Sequence, residues 1–126
     1  MDRLFVIVGS IVMFIAVGAG AFGTHGLSSY FSSYPELEAT YDTAVRYQMI
    51  HGIALFLTAW IGIRYGASLA SWAGYLFILG ILLFSGSLYL LVFTRTSWLG
   101  AITPLGGVAF LIGWFLLALV AWRAQS

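Results

Sequence analysis

Three stretches of this chain, residues 4–22, 72–93 and 104–122, contain no Asp, Glu, Lys or Arg, and a fourth, residues 43–63, contains only Arg46. Each is about 20 residues long, and at ~1.5 Å per residue a helix of that length matches the ~30 Å hydrocarbon core of a bilayer. Inside lipid every backbone N–H and C=O must find a partner within the protein, which leaves few folds open. The expected fold is all-α: a four-helix transmembrane bundle, up-down antiparallel, forming a single domain over residues 1–126.

Composition agrees. Only 7% of residues are charged, against about 25% in soluble domains, and mean hydropathy is +1.03. The net charge of +1, carried by arginines without a basic run, argues against nucleic-acid binding. The absence of cysteine excludes disulfides, thiolate metal sites and a cysteine nucleophile. Met1-Asp2-Arg3 and the apolar run after it resemble a signal peptide. That run continues past Gly18, longer than a usual signal core, so a retained helix is expected.

The polar chemistry lies where the second stretch begins, in Thr43-Ala44-Val45-Arg46-Tyr47-Gln48-Met49-Ile50-His51. Helical spacing sets His51 four residues after Tyr47 and three after Gln48, which places all three on one side. An unpaired polar group facing hydrocarbon costs roughly 2–7 kcal/mol, so that side is expected to turn inward. In the third stretch Ser85-Gly86-Ser87-Leu88-Tyr89 offers a matching patch, with Ser85 and Tyr89 on one face. The expected intramembrane polar cluster is Tyr47, Gln48, His51, Ser85, Ser87 and Tyr89, with His25 nearby. His51 is expected to hydrogen-bond Tyr89 or Ser85.

Small residues mark the helix contacts. Ala16 and Gly20, and Ala19 and Gly23, lie four apart and permit close backbone approach. Gly86, Gly106 and Gly113 are expected to do the same in the last two stretches. Ser33-Tyr34-Pro35-Glu36 has capping-box spacing and is expected to start the second long helix, which stands in water over its acidic first turns or breaks near Thr40. Ser71 and Thr103 are expected to cap the third and fourth. Asp42 and Arg46, four apart with the acid first, are expected to pair.

Arg3, Arg64 and Arg123 fall on one side of such a bundle, against Arg95 and Arg46 on the other. The positive-inside rule then puts both termini in the cytoplasm. No arrangement for catalysis is evident: Ser85 or Ser87 with His51 lacks an orienting acid, and the acids lie far from the apolar midsections. The protein is therefore expected not to be an enzyme and to hold no cofactor. The leading expectation is an accessory subunit docking on a larger complex or on itself through its glycine-lined faces, or a bundle holding a lipid or quinone-like molecule. One alternative is a small transporter or proton-conducting element using Tyr47, His51 and Tyr89. Another is a haem or metal protein through His25 and His51, which two histidines from two helix ends support weakly.

Four segments carry a resemblance. Gly20-Ala21-Phe22-Gly23-Thr24-His25-Gly26-Leu27, Thr43 to His51, Leu83-Phe84-Ser85-Gly86-Ser87-Leu88-Tyr89 and Ile102-Thr103-Pro104-Leu105-Gly106-Gly107, in that order, resemble the YgdD/YwdK-like small membrane proteins, a family of unknown function. Thr24 departs from the alanine usual there. The resemblance covers nearly the whole chain and implies a four-span protein with bacterial inner-membrane members and a distant animal mitochondrial relative. It implies no catalytic residue.

Overall fold

The computed structural model describes residues 2–124, and among them every regular element is helical. Helix α1 spans Asp2–His25, a short α2 spans Ser28–Ser33, and α3 runs unbroken through Pro35–Tyr65. Helix α4, Ala67–Gly80, passes through a five-residue π-helical turn, Ile81–Ser85, into α5, Gly86–Thr94. A 3₁₀ turn, Ser97–Ala101, leads into α6, Thr103–Arg123. Three segments are long and apolar enough to cross a membrane: Asp2–His25, Ser68–Thr94 and Ser97–Arg123.

Helix α3 is not among them, because Arg46, Tyr47, Gln48 and His51 dilute its apolar run. Its burial compensates. Twelve of its residues are buried, against three in α1, and α1, α4, α5 and α6 all pack against it. A helix wrapped by its neighbours can carry polar side chains that an exposed one cannot.

The helix ends differ in part from the sequence expectations. Pro35 does open α3, but Tyr34 holds the cap position and Ser33 makes no capping bond. α6 begins at Thr103, whose hydroxyl bonds Ser87 Oγ at 2.6 Å rather than capping. α4 begins at Ala67, ahead of Ser71. The polar connection after His25 holds α2, which the scattered serines hid. Tyr30 of α2 donates to the Val92 carbonyl at 2.6 Å, and Arg95 sits over the Tyr34 ring at 4.6 Å while donating to its hydroxyl. The turn after α3 uses Gly66 at φ 119°, a conformation costly for any side chain.

Glycines seat aromatic rings between the long helices. The Phe77 ring packs on Gly113 and the Phe110 ring on Gly80, while Gly106 lets α6 approach the backbone of Phe84. Each step forward along α4 and the π turn is matched by an equal step back along α6, so the three contacts keep antiparallel register. Phe5 fills the gap at Gly74 in the same way. Of the small residues expected to pack, Ala16 is fully buried and Gly23 lies under the Tyr41 ring, while Gly20 meets Val45 only at ordinary contact distance. Gly86 does not sit at a helix contact as expected: beyond its own neighbours along the helix, the only atom as near as 4.0 Å to where its Cβ would sit is the Ile81 carbonyl oxygen of the preceding turn. The α1 and α3 backbones also approach at Gly9 and Gly52, where a Cβ on Gly9 would stand 3.0 Å from the Gly52 carbonyl oxygen.

Candidate functional site

Neighbouring residues on a helix diverge by about 100°, and this divides the polar cluster into two. Gln48 turns toward α1 and α5: its Nε2 donates to the Val12 carbonyl at 2.9 Å, and its Oε1 accepts from the Tyr89 hydroxyl at 2.6 Å. One turn earlier, Ser85 of the π turn donates to the Ala44 carbonyl at 2.7 Å. Tyr41 donates to the Ala19 carbonyl and packs edge-on against Tyr89. Gln48, Ser85 and Ser87 are all buried. Among the described residues no buried side-chain nitrogen or oxygen lacks a partner.

Tyr47 and His51 face α6. Their rings are nearly parallel at 6.1 Å, and the His51 ring stacks on Phe110 at 3.5 Å. His51 bonds neither Tyr89 nor Ser85 as expected, since Tyr89 is taken by Gln48 and Ser85 by the Ala44 carbonyl. Its partners are the Tyr47 carbonyl, 2.8 Å from Nδ1, and the Trp114 indole N–H, 3.0 Å from Nε2. An indole nitrogen only donates, so Nε2 accepts and Nδ1 carries the proton. Nitrogen-15 spectra of the folded protein are expected to show the Nδ1–H neutral imidazole, and Trp114→Phe to release Nε2 with a stability loss below about 1 kcal/mol. An Nε2-protonated ring in the intact protein would contradict the arrangement.

Three further expectations change. His25, at the end of α1, is exposed and touches none of the cluster; its carbonyl accepts from Ser28 Oγ at 3.4 Å. Among the described residues no group of three or more metal-ligating side chains forms. Ser87 belongs to the α5–α6 junction, bonded to the Phe84 carbonyl at 3.0 Å and to Thr103. Arg46 is exposed and has no hydrogen-bond or ion-pair partner among the described residues. Asp42 lies instead beside a separate polar hollow with Thr24, Ser28 and Glu38.

What Tyr47 and His51 border is a cleft of about 590 Å³ between α3 and α6. Its other walls are Phe84 and Phe110 with the α6 residues Gly107, Val108, Leu111 and Trp114, and Arg46 and Pro104 also line it. This volume lies within the range of small-molecule sites. Sequence reasoning missed Trp114, Phe110 and Gly107. The available signal was Trp114 itself, a tryptophan in the middle of an apolar stretch rather than at its edge, where tryptophans of spanning helices concentrate.

Comparison with known proteins gives a consistent result. A family model described as "Protein of unknown function (DUF423)" matches residues 19–107. The chain is 44% identical over 123 residues to a UPF0382 membrane protein of Staphylococcus aureus, covering 96% of this chain and 97% of that one. It is 44% identical over 120 residues to the UPF0382 membrane protein YwdK of Bacillus subtilis, covering 94% and 96%. No solved structure matches.

Proposed function

Since the chain belongs to the DUF423 family of unknown function, whose members lend it no activity, we propose from the geometry that it is a non-enzymatic, single-domain membrane protein holding a lipid or quinone-like molecule between α3 and α6. In this reading it is a four-span bundle of the bacterial inner membrane with both termini cytoplasmic, α3 being the fourth span. The burial of Gln48 and His51 supports that assignment, because it removes their cost from the lipid face.

The observation carrying the proposal is the cleft: large, walled mainly by apolar and aromatic groups, and bordered by Tyr47 and His51. Docking on a larger complex through glycine-lined faces has less support, since Gly74, Gly80 and Gly113 are occupied by the protein's own phenyl rings and Gly106 by the backbone of Phe84. Proton conduction along Tyr47, His51 and Tyr89 also has less, because the Tyr89 hydroxyl is bonded to Gln48 and His51 to Trp114 and the Tyr47 carbonyl, so the three side chains form no hydrogen-bonded chain.

Gly107→Leu is the test. A Cβ there meets only Phe84 at 3.9 Å, so the substitution fills the cleft without forcing the helices apart. Mass spectrometry of protein purified in mild detergent is expected to find a retained lipid or prenyl molecule near one per chain, and at least severalfold less in Gly107→Leu. A wild-type protein that retains nothing would overturn the reading.

A further inference from the structure

The chemistry of the cleft narrows its occupant. Inside it, the polar groups are already engaged: both ring nitrogens of His51 are bonded, and the Trp114 N–H is spent on His51. Only the Tyr47 hydroxyl is without a hydrogen bond among the described residues. A polar ring placed deep in the cleft would therefore give up its water and meet almost no partner, leaving its polar groups orphaned. A hydrocarbon chain has no such cost.

At the rim the situation reverses. Arg46 is the one charged side chain among the residues bordering the cleft. It lies about one turn beyond Asp42 without pairing to it, so its guanidinium is free to take an anion. A guanidinium favours phosphate, because its fork of N–H donors can bond two oxygens at once.

Resting on the reading that the cleft is a ligand site, we propose that its occupant is one anionic glycerophospholipid, with an acyl chain between α3 and α6 and its phosphodiester on Arg46. The acyl chain runs along Val108 and Leu111 toward Trp114, and the headgroup stays at the surface. The site discriminates by charge at the rim and accepts any chain of suitable length within.

Native mass spectrometry tests this, with detergent-solubilised full-length protein offered equal amounts of phosphatidylglycerol and phosphatidylcholine. The wild type is expected to keep one lipid and to prefer phosphatidylglycerol about fivefold, the effect of one basic side chain near an anionic headgroup. Arg46→Gln is expected to keep a lipid but lose the preference. Arg95→Gln, whose guanidinium is held over Tyr34 away from the cleft, is expected to retain it. Gly107→Leu, and independently Leu111→Trp at a position 71% exposed, are expected to lose the lipid.

A preference that persists in Arg46→Gln overturns the headgroup assignment and leaves the cleft reading intact. Lipid retention in both cleft-filling variants, checked for unchanged helicity, overturns the cleft reading with it. A sharper response to free inorganic phosphate than to phosphatidylglycerol would also overturn the proposal, because it would show an anion site without a lipid.

Discussion

Gly106→Leu is expected to lower the stability of the folded bundle by about 3 kcal/mol, near the upper end of overpacking costs. A Cβ at this position would overlap the backbone nitrogen of Phe84 and stand 2.8 Å from its Cβ. Backbone cannot rotate aside as the tip of a side chain can, so α6 and the π turn must separate. Separation at Gly106 also loosens Phe110 from Gly80 and Phe77 from Gly113, since the three pairs share one seam. The comparison is Gly18→Ala, where nothing lies within 4 Å and the change should stay within about 1 kcal/mol. Denaturant- or heat-driven loss of helix in detergent micelles, followed by circular dichroism, measures both. Equal stability of Gly106→Leu and the wild type would refute the seam.

The second large effect is expected at Gln48. Its amide ties α3 to α1 through the Val12 carbonyl and to α5 through Tyr89. Gln48→Leu removes both bonds and leaves the Tyr89 hydroxyl, packed against Tyr41, without an acceptor. The expected loss is about 2 kcal/mol, above the average of single interhelical bonds in membranes because two are broken and one group is orphaned. Tyr89→Phe alone should cost about 1 kcal/mol, by stranding Gln48 Oε1. The double variant should cost little more than Gln48→Leu, because neither partner is then left unmatched. Strictly additive losses would mean that the two side chains do not bond.

Much of the fold was legible because it depends on quantities visible one residue at a time. The charge-free runs marked three helices with the length and apolarity to span a membrane, and Pro35 marked the start of α3. The inward burial of Gln48, His51 and Ser85 followed from the cost of presenting them to lipid. What stayed hidden depends on rotation and register. Tyr47, Gln48 and His51 lie within about 100° of one another on α3, but which neighbour each meets could not be read from spacing: Gln48 reaches Tyr89 and His51 reaches Trp114. The expected Asp42–Arg46 pair was a spacing argument alone, and the two side chains lie beside different hollows. Gly106 and Gly113 were identified as small, but their role as seats for Phe84 and Phe77 requires knowing which helix lies opposite. The cleft itself is a void between surfaces, and no local pattern encodes a void.

The π turn at Ile81–Ser85 bears on how this chain can vary in length. Each such turn holds about one residue more than an α turn. Excising a single residue there would restore ordinary winding and swing everything downstream by roughly 100°. Phe77 and Gly80 would keep their places on α6, while Ser85 and Tyr89 would rotate away from Ala44 and Gln48. The segment therefore acts as a phase adjuster between two interfaces that cannot both be met by uniform coiling. Homologues with a deletion in this turn should carry compensating changes on α3 and at Thr103, where α6 begins.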